Sequence, residues 1–267
     1  MAAASVSNPE ERLQDSDVHV WLGFPPAFHD TALSDAYSRL LSPEERQRHA
    51  RFRFPGDQWS FLFAHALLRS VLSRSVPVDP GALHFSTGAH GRPEIAAAPA
   101  SIEPLSFNAS HTQGLAVVAV TRAAPVGVDA EERRARLAPT ELASSHFAPQ
   151  ETLDLHAVPE ARRSDRFYEY WTLKEAYVKA RGLGLTAALD QFSFQFEGER
   201  SVRLAVEPAL RDAAESWKLW QFRPSADHVV AVCARRAPPE RQRLVCRRCV
   251  PLAGDEPFEP IALRESA

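Results

Sequence analysis

The stretch WTLKEAYVKARGLGL, Trp171 to Leu185, decides how this chain is read. It has the pattern of the last turns of an amphipathic helix closed by a glycine signal. Glu175 and Lys179 stand four residues apart, so an acid and a base project from one helical face. The chain holds 31 lysines and arginines, yet only Lys174, Lys179 and Lys218 are lysine. Arginine is its default cation, and this one segment uses lysine twice. That choice points to a compact positive charge, as at a phosphate oxygen, rather than a planar fork. The plainer alternative is a solvated Glu175–Lys179 ion pair, which contributes only about 0.2–0.5 kcal/mol.

Upstream lies VGVDAE, residues 126–131. It reads as a strand, so Asp129 and Glu131 point the same way. Two carboxylates on one face repel unless a cation neutralises them, or unless they simply end a solvated strand leading into EERR. Magnesium suits the first case, because it takes oxygen ligands from one or two carboxylates plus substrate phosphates. Glu175 is the candidate third carboxylate. In FNASHT (107–112), adjacent Ser110 and His111 on an extended chain point apart and make a poor hydrolase dyad; as donors to a phosphate they make better sense. Arg92 in the GRP turn and Arg46, Arg48 and Arg51 in ERQRHAR (45–51) are further cations able to grip phosphate. The chain contains no GxxxxGK[ST], GxGxxG or HExxH, so the usual sequence support for triphosphate loops, dinucleotide folds and zinc hydrolases is missing.

The bulk properties bound the rest. At 267 residues, with 45% hydrophobic and 24% charged residues, this is an ordinary globular chain of one large or two modest domains. A net charge of −3 speaks against a general nucleic-acid binder. No apolar run of membrane-spanning length occurs, and MAAASVSNPEERLQDSD does not read as a signal peptide, so a cytoplasmic protein with no membrane partner is expected. Cys246 and Cys249 form a CxxC without a second ligand pair, which reads as two incidental cysteines rather than a zinc site.

Along the chain, residues 1–16 are expected to be disordered. A strand at 18–22 precedes a basic helical stretch at 41–52. Asp57 reads as the N-cap of a buried helix that Pro77 and Pro80 end. Short strands follow at 83–86, 105–108, 114–121 and 126–131, with a turn at 90–93. Helical segments run through PTELASSHF and from about Glu160 to Arg181. Strands at 192–196, 202–206, 217–222 and 228–234 close the pattern, and residues 236–267 read as a Pro- and Arg-rich tail. The order of elements fits two α+β halves, 17–125 and 126–235, rather than a doubly wound sheet.

Taken together, LSPEERQRHARF, GRP, FNASHT, VGVDAE and WTLKEAYVKARGLGL, in this order and at these spacings, resemble the Sfp-type 4′-phosphopantetheinyl transferases. The resemblance runs from about residue 17 to 235. GVDxE followed some 40 residues later by WxxKExxxK is its most specific part. It implies an α+β pseudo-dimer of two similar halves with the active site in the cleft between them. Coenzyme A would be the co-substrate, magnesium the metal, and apo acyl, peptidyl or aryl carrier domains the partners, with those of polyketide and nonribosomal peptide synthases foremost. A holo carrier and 3′,5′-ADP would be the products, and a monomer is expected.

By the same resemblance, Asp129, Glu131 and Glu175 hold the metal. Lys179 meets the pyrophosphate, with Lys174 beside it as a second contact to coenzyme A. Ser110 and His111 meet a nucleotide phosphate. Arg92 takes the position of the family's usual lysine, and Arg48 and Arg51 serve the 3′-phosphate. Glu151 is the favoured general base, with Glu131 or a metal-bound water as rivals. The chain departs from the family at Asp57-Gln58 and His65, where Asp-Arg and an arginine are common. A non-catalytic module binding coenzyme A or carriers, or a pyrophosphatase using water in place of the serine, are the competing readings.

Overall fold

Alternation along the strands sorts this chain into four layers. The structure, a computed structural model, describes residues 16–26, 31–76, 78–88, 93–96, 105–122, 124–133, 140–184, 187–236 and 242–267. The expected disorder of residues 1–16, the 90–93 turn and the role of Arg92 lie outside those residues or on their edge. In chain order the main elements are β1 (Val18–Gly23), α1 (Thr31–Ser38), α2 (Pro43–His49), α3 (Pro55–Ser75), β2 (Phe85–Thr87), β3 (Pro93–Ile95), β4 (Leu105–Thr112), β5 (Leu115–Arg122) and β6 (Val126–Glu132). There follow α4 (Ala143–His146), α5 (Pro149–Ala157), α6 (Glu160–Arg181), β7 (Phe192–Glu197), β8 (Ser201–Val206), β9 (Trp217–Arg223), β10 (His228–Arg235), β11 (Leu244–Val250), β12 (Gly254–Pro257) and β13 (Ile261–Glu265).

Two sheets carry the fold, a five-stranded one ordered β12-β11-β1-β5-β4 and a six-stranded one ordered β6-β10-β9-β13-β8-β7. Their inner faces meet: Val18, Val20, Leu115, Val117, Val128, Ala130, Val230 and Val232 form one buried cluster. The outer face of the first sheet, with Trp21, Val118 and Val120, packs on Phe63, Leu67 and Val71 of α3. The outer face of the second, with Leu219, Val229 and Ala231, packs on Leu173, Ala176 and Tyr177 of α6. Burial on both faces explains why β5 and β10 are near-continuous apolar runs. Each half is thus a sheet backed by one long helix, α3 of 21 residues and α6 of 22. That is the expected pair of α+β halves.

Two expectations are corrected. Residues 242–267 are not a tail: β11 pairs in parallel with β1, and β13 lies between β9 and β8, so the segment joins both sheets. Its charged residues hide the strand pattern because they make ion pairs, as Arg247 does with Asp255 at 2.8 Å. Asp57 is not the N-cap of α3: the helix starts at Pro55, behind Phe54, where proline's fixed φ and missing N–H suit the first position. Cys246 faces the core between the sheets and Cys249 the core under α3, so the CxxC thiols point to opposite sides of β11.

Helix α2, which carries Arg46 and Arg48, is fixed through Glu45. Ser42 and Glu45 form a capping box, with Ser42 N–H donating to Glu45 Oε2 at 2.7 Å and Glu45 N–H to Ser42 Oγ at 3.2 Å. Glu45 also accepts from the buried Arg69 at 2.7 Å and pairs with His65 at 3.0 Å, both on α3. Burial alone would raise its carboxyl, but the His65 and Ser42 hydrogen bonds and the nearby cations lower it to about 2. A folded pKa below the unfolded value of about 4.3 gives stability that is complete above that pH and is lost as pH falls toward the folded value. Wild type is therefore expected to exceed Glu45→Gln by about 2–3 kcal/mol in urea unfolding near pH 6, an advantage that shrinks below about pH 4.3. A difference independent of pH would contradict this.

Candidate active site at the seam of the two halves

Because Val126, Val128 and Ala130 face the inter-sheet core, Gly127, Asp129 and Glu131 face α6. Gly127 sets how near strand and helix come. A Cβ there would lie 2.1 Å from the Ala176 carbonyl oxygen and 2.4 Å from the Ala180 nitrogen, so only glycine fits. Helix α6 presents Glu175 and Lys179 to this strand from successive turns. It ends at Gly182, whose φ of 66° is the left-handed cap that its sequence predicts.

The Lys179 Nζ donates to Asp129 Oδ1 at 2.7 Å, to the Val128 carbonyl at 3.1 Å and to Ser110 Oγ at 3.3 Å. Ser110 Oγ donates to Asp129 Oδ1 at 3.0 Å and accepts the Ala130 N–H at 3.3 Å. Two residues earlier, Asn108 Oδ1 accepts the Val128 N–H at 3.0 Å. Alternate side chains of β4 thus satisfy the open edge of β6, and through them the two halves meet. Asn108 was not singled out from sequence; its two-residue offset from Ser110, matching that between Val128 and Ala130, is the signal that identifies it.

Asp129 is 5% exposed and its Oδ2 has no hydrogen-bond partner. Burial, then repulsion from Asp129, pushes Glu131 up to about 7, against the pull of Lys179 and a hydrogen bond from Trp171. Burial and Asp129 likewise raise Glu175. Three carboxylates with one lysine between them and one orphaned buried oxygen form a site short of positive charge, and a hard cation with oxygen ligands fits it. Among the described residues, no three such groups yet converge closely enough to enclose a metal by themselves.

On the other half, Ala64, His65 and Leu68 of α3 and Ala109, Ser110 and His111 of β4 line a small pocket. Loss of hydration in this cleft, with His65 and Lys179 nearby, holds His111 below the usual imidazole range, although its outer edge is exposed. Arg48 and Arg51 are exposed on and just after α2, and the Arg48 guanidinium lies 6.0 Å over the Phe61 ring. His65, where the resemblance expects an arginine, is committed to Glu45, and its ring lies tilted 4.1 Å from that of Phe61.

Glu151 and Lys174 are placed elsewhere. Both side chains are wholly buried and paired at 2.7 Å. Glu151 also accepts from the Ala148 and Phe194 N–H groups, and Lys174 donates to the Leu189 and Phe192 carbonyls. Every proton of the ammonium is used and neither group reaches the cleft. The expected base and second coenzyme A lysine are here an internal ion pair tying α5 to α6 and β7. Tyr170, Tyr177 and Val178, one turn to either side of Lys174, are the sequence signal that it lies on the buried face.

Comparison with known proteins agrees with this arrangement. A family model described as the 4′-phosphopantetheinyl transferase superfamily matches residues 125–233, and one described as 4′-phosphopantetheinyl transferase, N-terminal, matches residues 30–123. The 4′-phosphopantetheinyl transferase HetI of Nostoc sp. is 33% identical over 224 residues, covering 84% of this chain and 90% of its own. The 4′-phosphopantetheinyl transferase Sfp of Bacillus subtilis is 30% identical over 201 residues, covering 75% of this chain and 85% of its own. With both halves matched and the acidic strand packed on the Glu–Lys helix, this chain belongs to the 4′-phosphopantetheinyl transferase superfamily.

Proposed function

We propose that the seam between β4, β6 and α6 transfers the 4′-phosphopantetheine arm of coenzyme A to a serine of an apo carrier domain, releasing 3′,5′-ADP. The observation that carries this reading is Asp129, bonded to Lys179 and Ser110 while its second oxygen stays unpartnered. Asp129, Glu131 and Glu175 would hold magnesium, which supplies charge neutralisation at the pyrophosphate when bound. Lys179 adds a compact cation on the same group. Ser110 and His111 orient a nucleotide phosphate, Arg48 and Arg51 receive the 3′-phosphate, and Arg92 is a further cation for coenzyme A.

Catalysis is then mostly positioning and charge balance. The carrier serine Oγ attacks the phosphorus that bears the pantetheine arm, and the bond from that phosphorus to the bridging oxygen breaks. The serine proton needs an acceptor. With Glu151 enclosed in the core, Glu131, on the same strand face as Asp129, is the carboxylate left at the cleft to take it. We place the partners among polyketide and nonribosomal peptide carrier domains, as for other free-standing two-half enzymes of this type. The cleft is completed within one chain, which suits a monomer. Three buried free thiols suit the reducing cytoplasm.

Asp129→Ala or Glu175→Ala is expected to lower transfer by about 100-fold or more, with part of the loss recovered at high magnesium for Glu175→Ala. Wild-type rates for either variant at limiting magnesium would overturn the metal assignment. Lys179→Ala should cost about as much, and Lys179→Arg should restore only a fraction if a point charge is what the site needs.

A further inference from the structure

Strands β4 and β5 meet at Gln113–Gly114, a tight turn at the end of the strand that carries Ser110 and His111. A residue of the other half is seated on it. His228, the first residue of β10 and only 7% exposed, holds Nε2 at 2.8 Å from the Gln113 carbonyl oxygen and Nδ1 at 2.8 Å from Ser225 Oγ. Ser225 Oγ accepts the Asp227 N–H at 3.1 Å, which directs its own proton to Nδ1. The ring proton therefore sits on Nε2 and is donated to Gln113. Gly114 has φ of 78°, and a Cβ there would lie 3.4 Å from both Cε1 and Nε2 of the ring, so the imidazole rests directly on the turn.

The loop holding His228 is itself tied to the acidic strand. His228 is in register with Glu132, and the Arg133 N–H donates to the Asp227 carbonyl at 2.7 Å. A continuous path of hydrogen bonds thus runs from the end of β6, through Asp227, Ser225 and His228, to the end of β4. Asn108 and Ser110 fasten the middle of β4 to β6, and His228 fastens its end.

We propose that His228 is a positioning residue for coenzyme A: by pinning the β4–β5 turn across the seam, it fixes where Ser110 and His111 stand relative to Asp129 and Lys179. The inference rests on the assignment of Ser110 and His111 to the nucleotide phosphates. Losing the pin loosens the nucleotide side of the cleft and leaves Asp129 and Glu131 on β6, and Glu175 and Lys179 on α6, in place. The effect falls on one substrate.

The test is steady-state transfer to an apo carrier domain with coenzyme A and carrier varied separately, alongside melting temperatures. His228→Leu is expected to raise KM for coenzyme A about tenfold, the equivalent of one lost hydrogen bond, with kcat and the carrier KM within about twofold of wild type. His228→Gln, whose amide N–H can reach the Gln113 carbonyl, is expected to recover most of that loss. If His228→Leu does not fold, Ser225→Ala carries the test; it keeps the ring but removes what orients it, and about a threefold rise in KM for coenzyme A is expected. Unchanged KM for coenzyme A, or equal shifts in both KM values, overturns the inference. Absence of transfer by the wild type would instead overturn the functional reading on which it stands.

Discussion

Gly127→Ala is expected to lose nearly all transfer activity, although the change adds only a single methyl group. The new Cβ would stand 2.1 Å from the Ala176 carbonyl oxygen and 2.4 Å from the Ala180 nitrogen. Both are helix backbone, which cannot swing aside as a side chain can, so β6 and α6 must separate. Asp129 and Glu131 then move away from Glu175 and Lys179, and the 2.7 Å Lys179–Asp129 contact is broken. A displacement of about 1 Å at such a site costs roughly 100-fold in rate, and overfilling a core costs about 1–3 kcal/mol or more. Gly56→Ala is the control, since a Cβ there meets nothing within 4 Å. Measured kcat/KM and melting temperature should fall sharply for the first variant and stay near wild type for the second. Wild-type kinetics in Gly127→Ala would show that close contact of β6 with α6 is not what assembles the site.

The second large effect concerns stability. Removing one partner of the Glu151–Lys174 pair leaves a wholly buried charge uncompensated, at a cost of about 3–5 kcal/mol. Burial pushes Glu151 up and Lys174 down, and their mutual contact is the largest influence opposing this, ahead of the Phe194 and Ala148 N–H groups on Glu151 and of Asp190 on Lys174, so neither tolerates losing the other. Glu151→Gln and Lys174→Met should each lower the denaturant midpoint strongly. Replacing both together, by Leu and Met, should recover a good part of the loss. In the temperature range where Glu151→Gln remains folded, its kcat should lie within a few-fold of wild type, because the group is not at the cleft. A fully stable Glu151→Gln with little activity would restore it as the general base.

These two cases mark what the sequence makes legible and what it does not. The acidic strand was readable because period-two spacing puts Asp129 and Glu131 on one face, and α6 because its 3.6-residue pattern ends at a glycine. Its bounds, Glu160–Arg181, match the expectation. Lys174 and Glu175 are neighbours in sequence but about 100° apart around the helix, so one enters the core and the other faces the cleft. A motif read as a string does not separate them; the apolar residues flanking Lys174 do. The C-terminal strands were missed for a different reason: Arg247 and Arg248 interrupt the apolar alternation, and it is a partner on the neighbouring strand β12, Asp255, that takes up the charge of Arg247 where β11 lies beside β1. The use of Asn108 and Ser110 to close the edge of β6 is a contact between halves, and local pattern carries little trace of it.

The most direct test of the account is the intact mass of an apo carrier domain incubated with coenzyme A, magnesium and this enzyme. The account predicts a gain of one phosphopantetheine arm on the carrier serine with release of 3′,5′-ADP, abolished by EDTA and by Asp129→Ala. An unmodified carrier, tried with peptidyl, acyl and aryl carriers and an enzyme preparation that still binds coenzyme A, would contradict it.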